Sequence, residues 1–208
     1  MRAESLDVPQ RMIAAGLALA KKRGIENFTV RQVCSKAKVN LGLFHYHFSS
    51  RLNFNKEVLK ELYKELMTDF DLKIPADLKP EEKLKNTAQI INKFTKNNAS
   101  LLLSILSDIL AGNKEMAVFL KNNFSKHIFI ALSVIEECKR KNVLKNFNSL
   151  SLLFFLAAPA AIPNIISAAF QKILNPKDYK KAQKIIKEIQ SEKLANERFE
   201  IAMRGSLK

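Results

Sequence analysis

The chain has 208 residues, 47% of them hydrophobic, with only five glycines and six prolines. That is ample apolar material for a core in one or two domains, and long stretches of 3.6-residue apolar period with scarcely any strand-like alternation predict an all-α protein. The formal net charge is +15, and the first 60 residues hold 11 Lys and Arg against 4 Asp and Glu while the other 148 hold 24 against 16, so the excess is concentrated at the N-terminal end, as in a phosphate-binding module.

Residues 8–23 read as a first helix, with Asp7 as cap, Pro9 in the first turn and Ile13, Leu17 and Ala20 on one face. Lys21, Lys22, Arg23 and Gly24 supply the cations and the glycine that end it. Ile25 and Phe28 then close a small core. Thr29 is a good N-cap, and Val30, Val33, Cys34 and Ala37 fall at i, i+3, i+4 and i+7 of a short second helix. Lys38 and Val39 break the pattern, Asn40 caps again, and Phe44 and Phe48 lie one turn apart on a third helix. Two helices of about two turns with three residues between them make a helix-turn-helix. Opposite Phe44 the third helix offers Gly42, Leu43 and Tyr46, with no Asp, Glu, Lys or Arg from Leu41 to Phe48. Such a face suits a DNA groove, where an aliphatic group meets a thymine methyl and Tyr or His bonds phosphate. The competing reading is a bundle helix with these residues buried against a neighbour.

Ser49 or Ser50 starts a helix over about 50–71, with Leu52, Val58, Leu59, Leu62, Leu66 and Phe70 on its apolar side. Arg51 sits in its first turn, where the helix dipole disfavours a cation, unless helix terminus and side chain hold a phosphate jointly. Pro75 and Pro80 bracket a boundary, after which helices are expected over about 80–97, 99–111, 114–141, 149–170 and 177–203. Asn113 caps the helix from 114, and His127 reads as a core or boundary histidine. Residues 149–170 carry no charge and are long enough to cross a bilayer, but Pro159, Pro163 and Asn164 interrupt them, so a kinked buried helix is the reading adopted. The alternative is a membrane-associated helical adaptor inserted through 149–170.

Cys34 and Cys138 lie on apolar helical faces with no CxxC or Cys/His spacing, so core thiols in a reducing compartment are expected. No Gly-rich phosphate loop, Ser/His/Asp set or HExxH occurs, so no catalytic residue, metal or cofactor is expected and the chain reads as a non-enzyme. The segment MRAESLDVPQ has no apolar h-region, which predicts no secretory signal and a cytoplasmic protein.

Gly24, Thr29-Val30-Arg31, Ala37-Lys38-Val39, Gly42-Leu43-Phe44-His45-Tyr46-His47-Phe48 and Ser50-Arg51 together resemble the DNA-binding domain of TetR-type transcriptional repressors over roughly residues 9–60. Three positions depart from that pattern: Lys38 replaces a turn glycine, His45 stands where the family usually has a phosphate-binding tyrosine, and Arg51 replaces lysine. Lys38 then requires a left-handed or adapted turn. The resemblance implies a three-helix head, residues 1–50, on an effector-binding and dimerisation body, residues 51–208, with helix 51–71 as connector and about nine helices in all. It further implies a homodimer through 149–170 and 177–203, a double-stranded palindromic operator, and an unknown small effector. A pocket in so Phe- and Leu-rich a bundle would favour an apolar or amphipathic molecule. Arg31, His45, Tyr46, His47 and Arg51 would hold phosphates, Thr29 would add a contact on the backbone side, and Leu41, Gly42 and Leu43 would face base edges. No membrane partner is expected.

Overall fold

Local caps set the helix boundaries. Asp7 Oδ1 accepts the Gln10 N–H at 2.9 Å, Asn113 Oδ1 the Met116 N–H at 2.9 Å, and Ser191 Oγ the Leu194 N–H at 3.3 Å. Each satisfies a helix-start donor that has no intrahelical partner. The computed structural model describes residues 7–207, so most of the expectation about a secretory signal falls outside the described residues. Ten helices run through them: α1 (Val8–Arg23), α2 (Val30–Ala37), α3 (Leu41–Phe48), α4 (Arg51–Lys73), α5 (Pro80–Leu110), α6 (Lys114–Asn123), α7 (Lys126–Arg140), α8 (Ser149–Ile173), α9 (Pro176–Ile189) and α10 (Glu192–Ser206). The all-α expectation holds.

Three boundaries differ from those expected. The predicted break near residue 98 is absent, and α5 is continuous. No proline or glycine interrupts it there, and Asn98 Nδ2 donates back to the Phe94 carbonyl at 2.8 Å, so its amide does not compete with the helix. The single helix expected over 114–141 is α6 and α7, parted at Phe124 and Ser125. The one expected over 177–203 is α9 and α10, because Ser191 caps a new start.

The chain divides into two units, residues 1–65 with 100–123 and residues 66–99 with 124–208. In the first, Met12, Ile25, Val33, Phe44, Phe54, Val58 and Leu59 are buried. Helix α1 lies close to α4 because Gly16 lacks a side chain: a Cβ there would come within 2.4 Å of the Phe54 ring. Gly24 adopts φ +92°, a value that favours glycine, and a Cβ at that position would meet Ser104 at 2.7 Å. Lys56 pairs with Glu115 and so ties α4 to α6.

In the second unit Leu84, Val134, Ile135, Cys138, Leu144, Leu152, Leu156, Phe199 and Met203 form one core. Both cysteines are free and buried, and burial pushes the Cys138 thiol up to about 11, so it stays protonated. Helix α8 passes through two prolines, and the carbonyl left open by the second is satisfied from elsewhere. Pro163 cannot donate to the Pro159 carbonyl, and Arg198 Nε donates to it instead at 3.0 Å while Nη1 reaches the Ile189 carbonyl at 3.0 Å. Asn164 is fully buried, and its Nδ2 faces Asn92 Oδ1 at 3.1 Å and Thr95 Oγ1 at 3.0 Å on α5. Buried polar groups need such partners, and these pin α8 to α5 at one register. By length and composition alone, α8 would still be able to cross a membrane.

Candidate nucleic-acid interface

The geometry of the interface is built from four local devices. The first is a reciprocal capping box: Thr29 Oγ1 accepts the Gln32 N–H at 3.2 Å and Gln32 Oε1 accepts the Thr29 N–H at 2.9 Å, which fixes where α2 begins. The second is the turn after α2. Lys38 takes the left-handed conformation, φ 55° and ψ 50°, as its replacement of a glycine requires. The Lys38 N–H reaches the Ser35 carbonyl at 3.2 Å and the Val39 N–H the Cys34 carbonyl at 3.0 Å, a Schellman closure that offsets the strain of a non-glycine residue. The third is Asn40, whose Oδ1 accepts the Gly42 N–H at 2.9 Å and starts α3. The fourth is an aromatic seat. Phe44 and Phe48 are buried on Phe54 of α4, with ring centroids 5.0 and 4.9 Å away. Such pairs have preferred geometries, so they set the rotation of α3 as well as its depth.

With that rotation fixed, the opposite face of α3 points outward. Tyr46 is 81% exposed, Leu41 38% and Leu43 37%. Gly42 and His45 are exposed too, and His47 is half-buried with its ring 4.9 Å from that of Tyr46. The bundle-helix reading, which buries these residues, is thereby excluded within this unit. A Cβ on Gly42 would meet only Asn40 Oδ1, at an ordinary 3.6 Å. The fold itself therefore does not require glycine there, although glycine weakens a helix. Thr29 and Arg31 are exposed at the start of α2. Because the Thr29 backbone N–H is held by Gln32, only its hydroxyl proton is left to donate.

Arg51 is placed differently from expectation. Nη1 donates to the Phe28 carbonyl at 2.6 Å, Nη2 to the Ile25 carbonyl at 2.8 Å and Nε to Asn55 Oδ1 at 3.2 Å. The guanidinium also lies 4.5 Å from the Phe28 ring centroid. It is turned into the head, while Arg31 and Lys36 on α2 and Lys38 in the turn before α3 are exposed. Sequence reasoning treats Lys38 only as a backbone problem and leaves Lys36 aside; their position at the turn of the motif is the signal that could have found them.

The stretch between α3 and α4 is tight. Ser49 has φ 60° and ψ −42°, and the Ser50 N–H bonds the Phe48 carbonyl at 2.6 Å, a γ-turn of the strained hand. Ser50 Oγ then caps α4 by accepting the Asn53 N–H at 3.1 Å.

Residues 12–57 match the profile of the bacterial regulatory proteins of the tetR family. The chain has the TetR-family fold, and its head matches that family's profile. Among solved structures, a transcriptional regulator from Saccharomonospora viridis in complex with choline superposes with a TM-score of 0.76 at 13% identity, all of both chains covered. A TetR transcription regulator from Haloarcula marismortui gives 0.73 at 12% identity over 97% of this chain and 99% of that one. The ketosteroid transcriptional regulator KstR2 of Mycobacterium tuberculosis gives 0.63 at 14% identity over 97% and 96%. No curated protein matches the sequence. The TetR resemblance seen in the motif thus extends, as fold, through the whole chain, and a DNA-binding regulator is the function class it supports.

In the second unit of this TetR-fold chain a cavity lined by Leu84, Thr87, Ala88, Ile91, Ala131, Ile135, Leu153, Leu156, Ala157 and Phe199 has a volume of only about 10 Å³. Its lining is apolar but for the Thr87 hydroxyl, which already donates to the Lys83 carbonyl.

Proposed function

We propose that this chain is a cytoplasmic, homodimeric repressor that leaves a palindromic operator when a small apolar or amphipathic molecule binds in the body. The observation that carries the DNA-binding part is the outward face of α3: Gly42, Leu43 and Tyr46 exposed, without a carboxylate, with Arg31, Lys36 and Lys38 exposed on α2 and the turn that leads into α3. In this reading Leu41, Gly42 and Leu43 meet base edges. Arg31, His45, Tyr46 and His47 hold phosphates, Thr29 adds its hydroxyl, and Lys36 and Lys38 add charge. Gly42 fits because a bare helix surface lets the groove wall approach.

The homodimer rests on α8. Leu150, Phe154, Ile162, Ile166 and Phe170 recur at multiples of four residues and are each 48–72% exposed. A continuous apolar stripe of this kind marks an interaction surface, and α10 adds Ile201 at 63%. Two-fold pairing would present two α3 helices to half-sites about one helical turn apart or a multiple of it. The effector would enter the small, largely apolar cavity lined in part by Leu153 and Leu156 only in a state in which the cavity is wider, and its tighter binding to that state is what would shift the head.

A membrane adaptor is the second reading, favoured by the length and apolarity of α8. Against it, α8 keeps Leu152, Leu156, Ala160 and Ala168 in the protein core and hydrogen-bonds α5 through Asn164. Titrating full-length protein onto random-sequence duplex DNA across a salt series tests the DNA-binding reading. Affinity should fall steeply with salt, by a log–log slope of about −0.9 per phosphate contacted, and a flat response contradicts it.

A further inference from the structure

We propose that Arg51 is a positioning residue of the head and not a ligand for DNA phosphate; the inference rests on the DNA-binding reading and concerns how that head keeps its shape. The turn between α1 and α2 ends on residues whose side chains are core, Ile25 fully buried and Phe28 nearly so. Their carbonyls lie outside any helix and lack helical partners, and Arg51 supplies the donors at 2.8 and 2.6 Å. A guanidinium is a planar fork with five donors, able to hold two divergent carbonyls and a third acceptor at once. Here the third is Asn55, which is 1% exposed and whose Nδ2 in turn donates to Glu26 Oε1 at 2.7 Å. Arg51 and Asn55 are one turn apart on α4, so together they fasten both ends of the 25–28 turn to that helix.

Directly after Phe28 comes Thr29, the cap of α2, with Arg31 two residues on. Phe54, the seat of α3, lies on the same first turns of α4 as the clamp. Arg51 therefore ties the start of α2 to the helix that carries α3, and it sets the spacing between the phosphate-facing and base-facing residues. Lysine, a point charge on a flexible stem, cannot make the three bonds together. The position reads as a charge in the sequence, but it acts as a bracket.

The test uses full-length wild type, Arg51→Lys, Arg51→Ala and Asn55→Ala, with hydrogen exchange by mass spectrometry and binding to the duplex selected by wild type and to a scrambled duplex over a salt series. Arg51→Lys should speed exchange in residues 25–33 about tenfold and reduce the ratio of selected to scrambled affinity about tenfold, while the salt slope stays that of wild type. Asn55→Ala should move the same two readings in the same direction although it carries no charge. Wild-type exchange in Arg51→Lys overturns the inference whatever DNA does. So does a salt slope smaller by about 1 in Arg51→Ala together with full selectivity in Arg51→Lys, the pattern of a direct phosphate ligand. If Arg51→Ala does not fold, the other two variants decide. A wild type that shows no salt-dependent binding to either duplex defeats the DNA-binding reading instead, and the exchange data still judge the clamp.

Discussion

Helices α3 and α8 both turn apolar side chains outward, and they do it differently. On α3 the exposed set is Leu41, Gly42, Leu43 and Tyr46, short or hydrogen-bonding groups within a cationic surround. On α8 it includes Leu150, Phe154, Phe155, Ile162, Ile166 and Phe170, large groups with no charge from Ser149 to Gln171. A groove in a polyanion needs the first composition, because most of the affinity comes from phosphate and the helix need only approach closely. A second protein surface needs the second, because burial of apolar area is the main driving force there. Exposure alone does not name a partner; the chemistry around the exposed groups does.

The largest effect that would break this contrast comes from a charge on α8. Phe154→Glu combined with Ile166→Glu places two carboxylates on the stripe, and burying each unpaired would cost several kcal/mol. Analytical ultracentrifugation at micromolar concentration should show a dimer for wild type and a monomer for the variant, with an unchanged helical spectrum. A monomeric wild type removes the α8 proposal. On the α3 side, Tyr46→Ala should leave the melting temperature within about 1 °C, because the ring is 81% exposed, yet weaken binding to the selected duplex by about 1–3 kcal/mol. Unchanged affinity would show that the wrong face of α3 has been assigned. Gly16→Ala probes the seat instead of the face. It forces a methyl into the Phe54 ring and should destabilise the head by about 1–3 kcal/mol in denaturant unfolding; wild-type stability would show that α1 and α4 are not so close.

Gly42→Ala gives the smallest effect and the sharpest discrimination. Alanine in an exposed helix is favoured by about 0.5–1 kcal/mol and meets only Asn40 Oδ1 at 3.6 Å, so the head should become slightly more stable. DNA affinity should fall nevertheless. If both stability and affinity rise, Gly42 does not sit against the groove.

The parts of this fold that read cleanly from the chain are those whose partners are close in sequence. Thr29, Asn40 and Asn113 announce their caps because each bonds a backbone N–H two or three residues on. Phe44 and Phe48 announce the buried side of α3 by spacing alone. Features that depend on distant partners are not legible in this way. The two carbonyl acceptors of Arg51 lie 23 and 26 residues upstream, so its charge is visible in the sequence and its direction is not. The Pro159 carbonyl is satisfied by Arg198, 39 residues on, and nothing near Pro163 predicts that α8 can run on through it. The continuity of α5 is hidden for another reason: Asn97, Asn98 and Ser100 look like a loop, but Asn98 bonds its own helix. The outward cations Lys36 and Lys38 stand in plain sight within the motif, but a lysine in place of the turn glycine reads first as a backbone departure and only then as a charge.

The most direct test of the central claim is selection of bound sequences from a random duplex pool by the full-length protein at moderate salt. The account predicts enrichment of a palindrome whose half-sites lie one helical turn or a multiple of it apart, lost when Tyr46 and Arg31 are both replaced by alanine. Folded protein that enriches no sequence, or enriches the same sequence after both replacements, would contradict it.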